Sequence, residues 1–374
     1  MSRLPERFML GIAHPCPETS PITGMGFEWV RPAFTPFPID QSGQLTEGYL
    51  AYREQLRLYK AAGLQTLSIS PYPRDFMRYG IDPRTPEGLK KVREVCRFLA
   101  HDLREFVPAW QVANEIVFVY FRAPLDDDQA CDFLIESMRG IREGNPEAFA
   151  GHNSLDNLLR WLPWCERFEK ETGGSDYVGY DLYAGTWSVG NEETYIEDIE
   201  KIQKVLGLPV IMTEFGYASR GEVAADIEAE MLSWLSQRGI HGYADMEARL
   251  SEVIPMLPQR MQDTMRVAGS KHDQLEYLYQ SKSHILHKWP RTSARLHTEE
   301  DQASFYDRLL ELLIAQPGVR GAFAFSWKDN ERCYACGSAD CPCETAWGMV
   351  RKDGSEKPVA EVIRKYAKIL HKEL

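Results

Sequence analysis

Two glutamates stand at the ends of apolar segments that are typical of buried strands. Glu115 closes the segment 107–115, directly after Asn114, and Glu214 lies near the end of the segment 209–216. In a (β/α)8 barrel the chemistry takes place at the carboxyl ends of the parallel strands. Two carboxyl groups about 5–5.5 Å apart at such a place are what retaining glycoside hydrolysis requires. The sequence therefore predicts that Glu115 and Glu214 form a catalytic pair.

The electrostatic interaction between the two glutamates predicts a different catalytic role for each. A negative charge on Glu214 would raise the pKa of Glu115, so that Glu115 stays protonated at neutral pH and acts as an acid. The amide of Asn114 can hydrogen-bond a sugar 2-hydroxyl group, a contact that strengthens in the transition state. The alternative is that both acids merely cap strands or pair with arginines. Their joint occurrence at the ends of strands four and seven favours catalysis.

An alternation of apolar and amphipathic segments must position these acids. The apolar segments predict eight strands, at 8–13, 27–33, 64–70, 107–113, 148–151, 177–183, 210–213 and 322–326. Helical spacing predicts helices at 46–62, 86–103, 126–143, 155–172, 193–205, 299–315 and 358–370. This order predicts an α/β fold, a single (β/α)8 TIM barrel spanning 1–374. An open doubly wound sheet is the alternative, but no Gly-x-Gly-x-x-Gly follows a predicted strand.

One long segment, 218–298, interrupts the alternation after strand seven. It contains predicted helices at 222–238 and 245–256, and a connection of this length is not an ordinary loop. Because it leaves the barrel beside Glu214, it lies at the catalytic rim. It is either a helical insertion that packs as a satellite cluster, or a lid or homo-oligomer contact that shapes the substrate pocket.

Polar and aromatic residues at or just beyond the predicted strand ends are candidate sugar contacts. They are His14, Tyr72, Gln111, His152, Asn153, Trp187 and Trp327. Aromatic rings stack on the C–H face of a pyranose, and Trp327 is the best candidate for such a platform. The alternative for each residue is an ordinary buried or rim position.

The pair Asn114-Glu115 after strand four, Glu214 ending strand seven and Trp327 ending strand eight resemble glycoside hydrolase clan A. This clan comprises retaining (β/α)8 enzymes and includes the cellulase-type family five and the β-xylosidase-type family thirty-nine. The resemblance runs from strand one to strand eight, apart from the long insertion. No family within the clan is assigned.

The resemblance implies roles for individual residues. It implies that Glu115 is the acid/base and that Glu214 is the nucleophile. The strand-two arginine of the clan matches Arg31, and its strand-six tyrosine, which hydrogen-bonds the nucleophile, matches Tyr183. Asp181 stands where many members carry histidine.

The eight cysteines fall into two sets. Four are scattered and are predicted to be small apolar residues: Cys16, Cys96, Cys131 and Cys165. The other four form the pattern C-x2-C-x4-C-x-C after strand eight: Cys333, Cys336, Cys341 and Cys343. Four thiolates so spaced can bind one structural Zn²⁺, whereas two disulfides or four free thiols are the alternatives. His284 and His287 lack acidic company and are predicted to be an ordinary helix face.

The composition of the chain narrows the classes of molecule that it is expected to bind. The 374 residues include 43 basic and 55 acidic side chains, which give a net charge of −12. Without a long basic run, this balance argues against nucleic acid and anionic membrane and is compatible with a neutral sugar. The N-terminus does not resemble a signal peptide, and no stretch approaches the ~18 apolar residues of a membrane span. We therefore expect a cytoplasmic protein.

The leading functional hypothesis is a retaining exo-acting β-glycosidase that hydrolyses small soluble glycosides or oligosaccharides without a cofactor for catalysis. An endo-acting glycanase or transglycosidase is the first alternative. A carbohydrate-binding pseudoenzyme on the same barrel is the second, since a fold does not fix a function. A metal-dependent barrel hydrolase is the third, but strand one carries no His-x-His.

Overall fold

The computed structural model describes residues 3–154 and 158–372. Its eight strands pair in parallel, each with the next, and β8 pairs with β1 to close the barrel. The strands are β1 (Met9–Ala13), β2 (Trp29–Arg31), β3 (Gln65–Ile69), β4 (Ala109–Val112), β5 (Phe149–Ser154), β6 (Tyr177–Leu182), β7 (Val210–Phe215) and β8 (Val319–Phe325). The predicted (β/α)8 fold is confirmed.

Side chains alternate along each strand between the barrel interior and the surrounding helices. Trp29, Phe149 and Phe323 belong to the apolar cluster that fills the barrel interior. Their neighbours Val30 and Ala150 belong to a second cluster, which lies between the strands and the helices. Both faces of the strands are therefore covered, which explains their almost continuous apolar sequences.

Sixteen α-helices occur among the described residues. They are α1 (Thr19–Met25), α2 (Glu47–Ala61), α3 (Pro73–Arg78), α4 (Pro86–Asp102), α5 (Val119–Arg122), α6 (Asp127–Gly144), α7 (Leu158–Thr172), α8 (Glu192–Leu206), α9 (Ile227–Ser236), α10 (Tyr243–Ala248), α11 (Leu250–Val253), α12 (Gln259–Ala268), α13 (Lys271–Gln280), α14 (Lys282–Leu286), α15 (Glu299–Ala315) and α16 (Val359–Lys372). Two 3-10 helices cover Ile254–Met256 and Pro342–Glu344. No helix in this part of the chain is long and apolar enough to cross a membrane.

Local sequence sets several helix starts. Thr46, Thr85 and Asp126 each accept a hydrogen bond from a backbone N–H in the first turn of the following helix. Such N-caps satisfy donors that have no partner within the helix. The predicted helix 155–172 is found from Leu158 onward, and its predicted first three residues lie outside the described residues.

The predicted insertion contains helices α9 to α14 instead of the two long helices expected. The additional short helices escaped prediction because each presents only a few apolar residues. Met231, Met246 and Met261 from this segment share one apolar cluster with the barrel interior and with Trp347 after β8. The insertion thus packs onto the barrel mouth and is continuous with the core there.

A buried lysine in the segment after β8 pairs with an acid of that same segment and also hydrogen-bonds to the segment after β7. Lys357 Nζ lies 2.8 Å from Asp329 Oδ1 and donates to Ser219 Oγ at 2.7 Å. The same Asp329 oxygen accepts the N–H of Gly348 at 2.8 Å. The two charged side chains are only 1% and 9% exposed. Since the charges compensate each other away from water, removing one of them would leave the other buried and unpaired.

We expect Lys357→Ala to lower the free energy of unfolding by about 3–5 kcal/mol, because it leaves the Asp329 carboxylate uncompensated. Lys365→Ala is the matched control. It removes a partner of Asp307 from an exposed pair, whose side chains are 51% and 45% accessible. This control substitution should lower the free energy of unfolding by less than about 1 kcal/mol. Urea denaturation measures both, and equal losses would contradict a special role for the buried pair.

Candidate active site

The barrel brings three carboxyl groups together at the carboxyl ends of its strands. One oxygen from each of Glu115, Asp181 and Glu214 lies within 4.8 Å of the other two. Asp181 and Glu214 are paired neighbours on β6 and β7. All three residues line a cavity of about 790 Å³ at the barrel mouth. The two glutamates predicted to act together are therefore adjacent in space.

Two donors hold the carboxylate of Glu214. Arg31 Nη1 donates to Oε1 at 2.6 Å, and the Tyr183 hydroxyl donates to Oε2 at 2.5 Å. The guanidinium of Arg31 is fully buried and also donates to Gln111 Oε1 at 2.8 Å and to Asn114 Oδ1 at 2.5 Å. Charge-assisted hydrogen bonds of this kind fix both the position and the orientation of a carboxylate.

The backbone of Glu115 adopts a left-handed conformation, with φ of +45°. This conformation is uncommon for a residue with a side chain, and the surrounding structure must hold it. The N–H of Glu115 donates to Asn153 Oδ1 at 2.8 Å, and Asn153 Nδ2 donates to Thr213 Oγ1 at 2.9 Å. The Thr213 hydroxyl in turn donates to Asp181 Oδ1 at 2.6 Å. Asn153, predicted to bind substrate, thus positions the Glu115 backbone and does not line the cavity.

Burial and neighbouring charges make Glu115 an acid suited to neutral pH. Burial in the cavity wall raises the pKa of Glu115 well above its ordinary value, and the charges of Asp181 and Glu214 raise it further. Burial, followed by the charge of Glu214, raises the pKa of Asp181 to about 7. Both effects favour the protonated form of Glu115, which is the form that can give up a proton.

Three of the predicted sugar contacts line the cavity: His14, Tyr72 and Trp187. The ring of His14 meets Phe325 edge to face at 4.9 Å between centroids. Burial lowers the pKa of His14, so that it is a neutral hydrogen-bonding group at neutral pH. Trp187 contacts the ring of Trp289 at 4.9 Å, which orients it at the cavity wall.

Two predicted contacts lie elsewhere. His152 Nε2 is 3.2 Å from Glu169 Oε1 on α7, outside the strand barrel. Trp327 belongs to the apolar cluster between strands and helices. Neither residue lines the cavity, and their predicted role in substrate binding stays a prediction. The physical reason for the position of His152 is the two-residue period of a strand, which turns His152 outward when Asn153 points inward.

Several residues that line the cavity were not selected from the sequence as site residues, among them Phe325, Tyr334, Glu344 and Trp347. Tyr183 meets Trp347 edge to face at 4.9 Å and Phe325 at 5.9 Å. Burial raises the pKa of Glu344 well above its ordinary value, and the charge of Glu214 adds to this. For Phe325 a sequence signal existed: side chains alternate along β8, and Phe323, two residues earlier, points inward, so Phe325 is expected to do the same.

The cysteines of the loop after β8 are buried and form a cluster against α14 of the insertion. Each of the eight cysteines of the chain is a free thiol in the structure. His284 Nδ1 lies 3.5 Å from Cys333 Sγ, and His287 Nε2 lies 3.8 Å from Cys336 Sγ. The prediction that these two histidines form an ordinary helix face is therefore wrong. They belong to the cysteine cluster, and the separation of 49 positions along the chain hid this contact from the sequence analysis.

Solved structures similar to this chain include glycoside hydrolases. A family 39 glycoside hydrolase from the gut symbiont Bacteroides cellulosilyticus WH2 aligns over 99% of this chain and 65% of its own, with 13% identity and a TM-score of 0.58. The Ignisphaera aggregans GH53 catalytic domain aligns over 96% of both chains, with 14% identity and a TM-score of 0.57. The β-D-glucuronidase of Dictyoglomus thermophilum aligns over 98% of this chain and 51% of its own, with 14% identity and a TM-score of 0.53.

At this level of identity the similarity establishes the fold. No protein-family model matches the sequence, and no curated protein matches it. The chain spans about two thirds and about half of the family 39 and glucuronidase structures, respectively. The resemblance to clan A indicated by the sequence motifs is thus confirmed for the barrel, and the chain has the fold of these glycoside hydrolases.

We expect Asp181→Asn to lower the pKa of Glu115. The substitution removes a negative charge that opposes ionisation of Glu115, and the amide oxygen can still accept the hydrogen bond from Thr213. Carbon-13 NMR titration of labelled glutamate carboxyls measures the change, with Glu115→Gln to assign the signal. Glu344→Gln is the control and should give a smaller fall, since its charge contributes less. An unchanged or raised pKa after Asp181→Asn would contradict this electrostatic account.

Proposed function

We propose that this protein is a retaining glycoside hydrolase that cleaves β-glycosidic bonds of small soluble glycosides or oligosaccharides by double displacement. In this proposal Glu214 is the nucleophile and Glu115 is the acid/base. The observation that carries it is the proximity of these two carboxyl groups, which have oxygens within 4.8 Å of each other. Retaining enzymes hold the pair about 5–5.5 Å apart, whereas inverting enzymes leave about 6.5–9.5 Å for a water molecule.

The environments of the two carboxyl groups support different roles. The Glu214 carboxylate receives Arg31 and Tyr183 on its two oxygens, which orients it for attack on an anomeric carbon. As the bond from Glu214 to that carbon forms, the leaving oxygen takes the proton of Glu115 and the glycosidic bond breaks. Water then attacks the same carbon, Glu115 takes its proton, and the ester bond to Glu214 breaks. Both steps balance without a cofactor.

The residues that line the cavity favour a sugar as the substrate. Phe325, Trp347 and Trp187 present aromatic rings around the carboxyl groups, and such rings stack on the C–H faces of pyranoses. Tyr277 and His284 of the insertion add a wall on the side of α13 and α14. A cavity walled in this way favours exo action on a terminal sugar over endo action along a polymer. The β configuration follows from the resemblance to clan A.

Trapping the covalent intermediate tests the assignment of the nucleophile. A 2-fluoro aryl β-glycoside should inactivate the enzyme with one equivalent bound, and peptide mapping should place the label on Glu214. Glu214→Gln should lower kcat by about four orders of magnitude or more while the protein stays folded. Labelling of another residue, or an inverted product seen by NMR, would overturn the retaining assignment.

Leaving-group dependence tests the acid/base. Glu115→Ala should slow hydrolysis of aryl glycosides with poor leaving groups by about 10²–10⁴-fold, because these need a proton in the transition state. Hydrolysis of glycosides with activated leaving groups should be slowed less. Added azide should restore turnover, with a β-glycosyl azide as the product. Asn153→Ala is the matched control for disturbed positioning, and azide should not rescue it. Equal losses for all leaving groups without rescue would contradict the assignment.

The wild-type rate on activated aryl β-glycosides separates the competing functions. Hydrolysis there, with a single sugar released from an oligosaccharide, supports the exo-acting glycosidase. Release of internal oligosaccharides supports the endo-acting alternative. Binding of the sugars without turnover supports a pseudoenzyme on the same barrel.

A further inference from the structure

Six side chains with metal-binding donors meet beside the cavity, where α14 of the insertion faces the loop after β8. They are His284, His287, Cys333, Cys336, Cys341 and Cys343. We propose that this Cys/His cluster binds zinc as a structural site, with ligands from both segments. The two histidines go beyond the four-cysteine site that the sequence suggested. This inference is independent of the proposed glycosidase activity.

The spacing of the donors fits a tetrahedral ion. Zinc–sulfur bonds of about 2.3 Å and zinc–nitrogen bonds of about 2.0–2.1 Å place two tetrahedral ligands roughly 3.5–3.8 Å apart. The distances from His284 Nδ1 to Cys333 Sγ and from His287 Nε2 to Cys336 Sγ are 3.5 Å and 3.8 Å. The donor pairs that join the two segments therefore already stand at ligand separations.

The donors also form two overlapping groups. Donor atoms of His284, Cys341 and Cys343 lie within 4.8 Å of one another, as do those of His287, Cys336 and Cys341. Cys341 is common to both groups, and six donors exceed the four that one tetrahedral ion binds. The donors suffice for one ion held by four of them, or for two ions if two of the thiolates are shared.

The chemistry of the donor set selects zinc among common divalent ions. Thiolates with imidazoles in a tetrahedral arrangement suit zinc, whereas magnesium, calcium and manganese prefer oxygen donors. The four cysteines are between 0% and 8% exposed, so the site is largely shielded from solvent. A closed site of protein ligands is structural and leaves no position for a reacting water.

Backbone geometry and packing on the insertion side hold the histidines in place. His287 ends α14 in a left-handed conformation with φ of +56°, which is uncommon for a residue other than glycine. The ring of His284 also packs against Trp187, with 5.4 Å between centroids. Since His284 and Trp187 both line the cavity, an ion bound here would fix part of the cavity wall.

The same two segments approach closely at a second place. Within the insertion, Trp289 Nε1 donates to the carbonyl of Arg220 at 2.9 Å and so holds the backbone beside Gly221. At Gly221, with φ of +126°, a Cβ atom would lie 2.4 Å from Trp289 Nε1 and 2.7 Å from Cβ of Pro342. Only glycine permits this approach of the insertion to the cysteine loop. The cluster therefore lies at a junction where the backbone itself brings the two segments together.

Elemental analysis of the full-length protein, purified without chelators, tests the proposal directly. We expect one or two equivalents of zinc, the number distinguishing a single ion from a thiolate-bridged pair. X-ray absorption at the zinc edge should show both sulfur and nitrogen neighbours, near 2.3 Å and about 2.0–2.1 Å. Less than a tenth of an equivalent together with freely titrating thiols, two disulfides detected by mass, or a metal other than zinc would overturn the site.

Variants test whether the insertion contributes ligands. His284→Ala and His287→Ala should each weaken zinc binding, measured by competition with a chromogenic chelator, by at least the roughly 10–100-fold that loss of an outer-shell partner costs. His272→Ala, an exposed histidine on α13, and Cys131→Ser, a distant buried cysteine, should retain full zinc content. If both histidine variants bind zinc as the wild type does, and the absorption data show sulfur alone, the insertion supplies no ligand and the proposal is wrong.

Discussion

The fully buried guanidinium of Arg31 is the charge around which the active site is arranged. Burying a charged group away from water costs roughly several kcal/mol unless hydrogen-bonded partners compensate the charge. Here Gln111, Asn114 and Glu214 are those partners. The charge of Glu214, paired to this cation, in turn opposes the ionisation of Glu115 and Asp181 in the same enclosed space. One buried cation and three carboxyl groups thus place an oriented carboxylate next to a carboxyl group whose pKa is raised.

The walls of the cavity come from segments outside the regular strand and helix alternation. The insertion after β7 supplies α13 and α14, and the loop after β8 supplies Tyr334, Glu344 and Trp347. The hydrogen bond from Lys357 to Ser219 and the Cys/His cluster connect these segments at two places. The barrel therefore provides the carboxyl groups, while cross-links between two long connections determine the space that a substrate can occupy.

The barrel could be predicted from the sequence because each strand is an apolar run and the major helices have a 3.6-residue period, several of them with an N-cap. The proximity of Glu115 and Glu214 could be predicted because both follow strands whose carboxyl ends meet at one end of the barrel. The inward or outward direction of single residues was harder, because it depends on strand limits. β5 extends to Ser154, so His152 faces α7 and Asn153 faces inward. Trp327 likewise lies among the outer core residues, whereas Phe325 faces the cavity.

Periodicity, composition and motif spacing are local properties, so the sequence by itself determined the strand and helix order, the closed barrel and the pair Glu115 and Glu214. The meeting of His284 and His287 with the cysteines is a contact across 49 residues, and no local pattern encodes it. The raised pKa of Glu115 likewise depends on burial and on the charges of Asp181 and Glu214, which neighbouring strands bring close. Distances and electric fields between remote segments exist only in the folded chain, and for that physical reason the tertiary structure alone decided them.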